Sequence, residues 1–338
     1  KVTGLRTEIK NNMNNTISQL LTSANVPVMP IMTHPGIELI NKKVIDAVKN
    51  GDVHYQAVMA LRKRFPLSVA STTIMDLSVE AEALGADIVF DDNEVPTVSG
   101  RLLTSAADVE ALQIPTLDAK RVPEYLKANR LAASELDVPL FGGCIGPFSL
   151  AGRLYDMTEL MMAMYIEPDT ANLLLDKCTQ FILEYCKQIK ASGSAGVVMA
   201  EPAAGLLSND DCQAYSSRFV KTIVDAVQDD NFVVMLHNCG NTGQCTKAMI
   251  ETGAAALHFG NKIDMAQVLA EVPSDIVVSG NIDPVEVMKF GTPQQVADAA
   301  KSLLALAEKH NNFILSTGCD VPPETPFENI ESLFNATN

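Results

Sequence analysis

Three residues in the last third of the chain have the types and spacing to hold a metal ion. They are His237 and Cys239 in VVMLHNCGNTG, and Cys319 in FILSTGCDVPPETP. One imidazole and two thiolates suit zinc better than magnesium or calcium, which take oxygen ligands. Three protein ligands leave a fourth tetrahedral position free, and that opening separates a catalytic zinc from a structural one. His237 and Cys239 are two apart, so on an extended backbone their side chains point the same way. Gly240 and Gly243 then let the chain turn tightly. The competing reading makes His237 a hydrogen-bonded core histidine and both cysteines small buried hydrophobes.

Such a set works only if strands bring its members together. Short apolar, β-branched runs at 26–32, 86–90, 138–142, 195–200, 232–236, 254–258, 275–279 and 312–316 read as eight strands. Helix-period stretches lie between most of them, at 160–191, 210–229, 265–270 and 294–310. Leu173, Leu174, Cys178, Phe181, Ile182 and Cys186 mark the core-facing stripe of one. Strand–helix alternation predicts an α/β fold with a parallel sheet. Eight units predict a single closed (β/α)8 TIM barrel spanning residues 1–338 as one domain. A doubly wound open sheet competes, but its GxGxxG fingerprint after a first strand is absent. The first 25 residues are expected to form a helix packed outside the barrel. Residues 91–137 read as an insertion after the second strand that covers the mouth.

Composition narrows the function classes. The net charge is −16, which argues against nucleic acid or an anionic membrane surface as a partner. No run approaches the roughly 18 apolar residues of a membrane span, and the N-terminal stretch lacks a signal-peptide core. Hydrophobic residues make up 47%, enough for a substantial core. The seven cysteines are scattered rather than paired in a disulfide framework. A reducing cytoplasm is therefore the expected setting.

In a (β/α)8 barrel the ends of the strands form one rim, where active sites are built. Several polar residues follow the apolar runs. Glu201 reads as a weak fourth metal ligand or a proton acceptor; otherwise it caps a helix or orients His237. His258 either binds an anionic substrate group or caps its strand. Asp283 and Asp320 read as caps or as partners of the metal ligands. Cys144 reads as packing, and Cys245 as part of the helix after Cys239. Gly142, Gly143 and Gly146 give a flexible turn whose amides can hold an anion. His54 and His310 read as surface residues.

HNCGNTG with the later TGCDVPPETP resembles the methylcobalamin:coenzyme M methyltransferases of the uroporphyrinogen decarboxylase superfamily. MPIMTHPG, ALGADIVFDDNEVP, FGGCIGPFSLAG and SGNIDP are similar as well, so the likeness runs over nearly the whole chain. The resemblance implies a (β/α)8 barrel with zinc on His237, Cys239 and Cys319. It also implies a methylated corrinoid as methyl donor, carried on a corrinoid protein, and coenzyme M as thiol acceptor. Homocysteine or tetrahydrofolate are the alternative acceptors. Asp92, in FDD, resembles the aspartate that anchors tetrapyrrole nitrogens in the decarboxylases, and is expected to face the corrinoid or else to be a solvated loop residue. His34, in MTHPG, is expected to line the pocket or to be a turn residue before Pro35. The decarboxylases carry an Arg-containing segment there, whereas this chain has no arginine between Arg6 and Arg62. Carboxylate-rich substrates need such guanidinium forks. The expected activity is therefore a zinc-dependent methyl transfer to a thiol. A tetrapyrrole decarboxylase, or a corrinoid- or zinc-binding module without turnover, are the competing readings.

Overall fold

The computed structural model describes residues 14–337. Seven strands form one parallel sheet: β1 (Ser71–Thr72), β4 (Leu140–Ile145), β5 (Gly196–Ala200), β6 (Val233–Asn238), β7 (Ala256–Phe259), β8 (Val277–Ile282) and β9 (Phe313–Thr317), hydrogen-bonded in that order. Residues 27–32 lie between β9 and β1. Val28 bridges Leu315, the Met29 amide donates to the Leu315 carbonyl, and the Val69 amide donates to the Val28 carbonyl. The run expected as the first strand thus takes its place without becoming a regular one. Pro27 and Pro30 remove two amide donors, so a continuous ladder cannot form. With it, the sheet has the (β/α)8 arrangement expected from the sequence.

The run at 86–90 is not a barrel strand. It contains β2 (Asp87–Val89), which pairs antiparallel with β3 (Thr97–Ser99) in a separate two-stranded ribbon. Val89 is 55% exposed, while Ile88, Phe90 and Val98 pack from outside against the main core, so the ribbon covers the barrel rather than joining its sheet. The second barrel position belongs to β1, whose polar Ser-Thr-Thr character concealed it. The insertion is therefore longer than expected, running over 73–139 between β1 and β4. The helical run at 160–191 is likewise two helices, Met157–Ile166 and Pro168–Ala191, because Pro168 cannot continue the first.

Strand side chains alternate between two cores. Phe141, Val198, Val233, Met235, Ala256, Val277 and Ile314 point into the barrel, where they meet Met29, Ile31 and Val69. Their neighbours Val197, Met199, Val234, Leu236, Leu257, Val278 and Leu315 point outward against the helices. Helix Asn15–Thr22 does not lie outside this arrangement. Ile17, Leu20 and Leu21 join the interior cluster, and the Asn15 amide is bonded to the Asp230 carbonyl just before β6. The helix thus plugs the end of the barrel where the strands begin. The part of the expected N-terminal helix before residue 14 lies outside the described residues. Among these residues no helix is long and apolar enough to cross a membrane.

The insertion is fastened to the barrel by buried polar contacts. Arg121 Nη1 is 2.5 Å from Asp76 Oδ2, and its Nε is 2.5 Å from Glu82 Oε2. Tyr125 Oη donates to Asp76 Oδ2 at 2.7 Å, and Arg121 Nη2 donates to Ser78 Oγ at 2.8 Å. His54, expected at the surface, is fully buried here. Its Nε2 accepts from the Ile74 amide at 2.9 Å, and its ring meets Tyr125 edge-on. Glu80 is also buried, accepting from the Ile145 amide at the end of β4 at 3.0 Å, with its second oxygen unpartnered.

Removing one partner of a buried ion pair leaves the other charge uncompensated, at a cost of about 3–5 kcal/mol. Arg121→Met is expected to lower the urea-unfolding free energy by about that amount. Burial pushes the Glu80 carboxyl up to about 8. Its folded-state value lies above its unfolded one, so its contribution to stability is complete below about pH 4.5 and is lost as pH rises through 8. Glu80→Gln should therefore stabilise the protein more at pH 8 than at pH 5. Denaturation curves at both values test this, and an equal effect at the two would refute it.

Candidate metal centre at the barrel mouth

The same alternation decides what faces the mouth. On β6, Val233 and Met235 point inward, so His237 does too, one layer higher. On β7, Ala256 points inward and His258 follows it. On β9, Ile314 points inward and Ser316 follows. Below lies an apolar plug; above it the interior becomes polar. His237 and His258 are register partners on adjacent strands. Their Nδ1 atoms lie 2.8 Å apart, and His258 Nε2 is 3.0 Å from Ser316 Oγ. Burial and the adjacent His237 hold His258 well below the usual imidazole range, so it is neutral. A neutral His258 that donates to Ser316 through Nε2 accepts at Nδ1. In that tautomer pair His237 carries its proton on Nδ1, and its Nε2 lone pair is free to face the mouth; the reverse pair, with Ser316 Oγ donating, puts the proton on Nε2.

That nitrogen meets two sulfurs. Cys239 follows the end of β6 and Cys319 follows β9, three strands along the sheet. His237 Nε2 is 3.7 Å from Cys319 Sγ. The ligand atoms of His237, Cys239 and Cys319 all lie within 4.8 Å of one another. A tetrahedral zinc with Zn–S of about 2.3 Å and Zn–N of about 2.0 Å separates nitrogen and sulfur by about 3.5 Å. The donor set and its spacing fit that ion. The Cys319 thiol donates toward the Cys239 sulfur, which draws Cys239 down to about 7 and pushes Cys319 up to about 12. One thiolate is therefore accessible near neutral pH, and thiolate is the form that ligates.

The loops carrying the sulfurs are held by backbone packing. A Cβ on Gly260 would lie 2.7 Å from Cys239 Cα, and one on Gly318 would lie 2.5 Å from the Asn261 amide nitrogen. Only glycine permits either approach. The cluster opens into a cleft of about 320 Å³. His34, Met75, Leu77, Arg153, Pro202 and Asp320 are among its other walls, together with Val95, Pro96 and Thr97 from the insertion.

The remaining candidates divide. His34 is buried yet lines the cleft, with Nε2 3.5 Å from Asp320 Oδ2. Burial lowers its imidazole to about 4. Glu201 follows the inward-pointing Ala200 and so turns outward. Its carboxylate accepts from the Phe148 and Ser149 amides at 2.9 and 2.6 Å, and from Ser216 Oγ at 3.2 Å. It caps helix Pro147–Tyr155 instead of joining the three ligand atoms or orienting His237. His258 stands behind His237 rather than on the cleft, because both its nitrogens are used within the protein. Asp92 is exposed, paired with Lys43, and is not among the cleft-lining residues. It follows β2 of the ribbon, where it is a solvated loop residue. Gly142 and Gly143 lie within β4, and the Gly143 and Gly146 amides go to Thr73 Oγ1 and the Ala200 carbonyl, leaving no anion nest. Arg153 also lines the cleft. Its signal was a charged residue in the otherwise apolar and small PFSLAGRLY segment.

The uroporphyrinogen decarboxylase (URO-D) family model matches residues 19–338. The methylcobamide:CoM methyltransferase MtbA of Methanosarcina mazei is 29% identical over 263 residues, 76% of each chain. The uroporphyrinogen decarboxylase of Serratia proteamaculans is 29% identical over 304 residues, 86% of this chain and 84% of that one. A methyltransferase structure from Methanosarcina mazei superposes with a TM-score of 0.86 at 23% identity, covering 96% of this chain and 98% of that one. A B12-independent methionine synthase from Shewanella has the same general fold, with a TM-score of 0.60 at 14% identity over 93% and 96% of the two chains. With nearly its whole described length matched, this chain belongs to the uroporphyrinogen decarboxylase family of enzymes.

Proposed function

We propose that this chain transfers a methyl group from a methylated corrinoid, carried on a partner protein, to a thiol, with coenzyme M as the acceptor. The observation that carries this reading is the convergence of one imidazole nitrogen and two sulfurs within 4.8 Å at the foot of an open cleft. The MtbA relatives act in the same sense. The reading treats the chain as one barrel unit working in the cytoplasm. A tetrapyrrole decarboxylase is disfavoured: among the described residues lining the cleft there is one arginine, too few for a substrate rich in carboxylates.

His237, Cys239 and Cys319 would hold zinc, with His258 and Ser316 fixing the His237 tautomer behind it. Zinc bound there supplies a Lewis acid that lowers the pKa of a thiol and keeps it as thiolate at neutral pH. The two cysteine sulfurs would offset the charge of the dication and so leave the acceptor sulfur nucleophilic. The overall transfer forms a sulfur–carbon bond and breaks a cobalt–carbon bond. The thiol proton is released, and the bonding pair stays on cobalt, which goes from cobalt(III) to cobalt(I). The barrel's own part is to hold the acceptor where the methyl group arrives and to keep the mouth wide enough for a donor brought by another protein.

Methylcobalamin mixed with the zinc-loaded protein should yield cobalt(I) absorbance only when coenzyme M is added. Release of carbon dioxide from uroporphyrinogen instead would establish the decarboxylase reading. His237→Ala, Cys239→Ser and Cys319→Ser are each expected to lose stoichiometric zinc with the far-ultraviolet circular dichroism unchanged; metal retained in all three overturns the assignment. His258→Leu removes the group that orients a ligand and should weaken zinc binding about 10–100-fold, measured by competition with a chelating dye.

A further inference from the structure

β7 and β8 separate β6, which leads to Cys239, from β9, which leads to Cys319, and neither supplies one of the three ligand atoms. The turn after β7 fills the gap between the two sulfur-bearing loops. Gly260 abuts the backbone of Cys239: a Cβ there would lie 2.7 Å from the Cys239 Cα and 2.7 Å from its carbonyl oxygen. The next residue, Asn261, abuts Gly318, whose Cβ would lie 2.5 Å from the Asn261 amide nitrogen. Two consecutive residues thus touch one cysteine and the glycine just before the other. Their Cα atoms are held about 3.8 Å apart by the peptide bond, so together they form a spacer of fixed length. The end of β8 holds this spacer. Asn281 is buried, and its Nδ2 donates to the Gly260 carbonyl at 2.9 Å and to the Ile263 carbonyl at 3.0 Å. Both partners are acceptors, so the amide can face them only with its nitrogen, and both of its hydrogens are used on the turn. Asn261 Nδ2 donates to Asp283. The Gly318 amide donates to the Ile282 carbonyl at 2.6 Å. Asn281, Ile282 and Asp283 therefore clamp the spacer and the start of the Cys319 loop to one strand end.

We propose that Asn281 is a positioning residue of the metal centre. Through the Gly260–Asn261 spacer it sets the separation of the Cys239 and Cys319 backbones, and so the size of ion on which the imidazole and the two sulfurs can close. Zinc–sulfur bonds are about 2.3 Å long. A larger ion such as cadmium needs its sulfurs farther apart. Thiolates favour soft ions, so the donor set by itself does not refuse cadmium. A clamped spacer adds a steric ground for refusing it. Removal of the Asn281 amide leaves the Gly260 and Ile263 carbonyls without their donor and frees the turn to shift. This inference rests on the metal-centre reading and extends it from the ligands to a strand that carries none.

Competition against a chelating dye, with zinc and cadmium in turn, tests this on the whole chain without any turnover. Asn281→Ala should weaken zinc binding about 10–100-fold, as when a group supporting a metal ligand is removed. Cadmium binding should weaken less, so that the cadmium-to-zinc affinity ratio rises about tenfold. An asparagine needed only for folding would lower both affinities together. Asn281→Ser keeps a small hydroxyl donor and should fall between the wild type and the Ala variant. It decides the question if the Ala variant lacks the wild-type far-ultraviolet circular dichroism. An unchanged or lowered ratio in the folded variant overturns the proposal and leaves His237, Cys239 and Cys319 as ligands. Wild-type protein that takes up neither ion stoichiometrically overturns it together with the metal-centre reading.

Discussion

The two-residue period of a β-strand, imposed on seven parallel strands and one irregular segment curled around a shared interior, is the constraint from which the rest follows. Every second side chain must enter a space packed at crystal-like density. Near the strand starts that space is filled by Val233, Met235, Phe141 and Ile314 and plugged by the helix at Asn15–Thr22. At the strand ends no plug follows, so the top layer can be polar. His237, His258 and Ser316 occupy it because they keep the parity of the apolar residues beneath them. A buried imidazole is costly unless its nitrogens are satisfied, and these three satisfy one another while leaving His237 Nε2 directed at the sulfurs.

Much of this was legible in the sequence. Six of the eight strands stand within a few residues of their expected places, because long Val/Ile/Leu runs between helices have few alternative structures. The His-x-Cys pair and the distant cysteine do come together, since strand ends of a parallel barrel share a rim. What failed did so for local reasons. Two prolines made the first strand irregular, and Ser71–Thr72 was too polar to stand out. The apolar run at 86–90 drew the assignment away from it and carried Asp92 with it. Glu201 could have been read correctly from parity. Ala200 faces inward, so its successor faces the helices, and the amides at the start of helix Pro147–Tyr155 are what a carboxylate finds there. His54 could not have been placed, because its partner amide belongs to a segment whose course the pattern did not show.

Polar groups buried around the insertion show a second theme. Asp76, Arg121, Tyr125 and Glu82 form a closed set linking residues after β1 to the helix Val122–Glu135. Such networks stabilise little compared with apolar packing, but they specify one arrangement. Here that arrangement brings Val95, Pro96 and Thr97 to the cleft. The mouth is thus bounded by a segment held both by these ion pairs and by apolar packing of Leu84, Leu103 and Val109 against the main core.

The close packing at Gly260 and Gly318 bears on how the ligand set can vary. With backbone atoms less than 3 Å from where a side chain would begin, neither loop can drift without colliding with its neighbour. A change in the spacing of the two sulfurs is then left to rotation about the cysteine Cα–Cβ bonds. The positions of the two cysteine Cα atoms are thus fixed by the fold itself, and only the side-chain torsions remain to bring imidazole and sulfurs together.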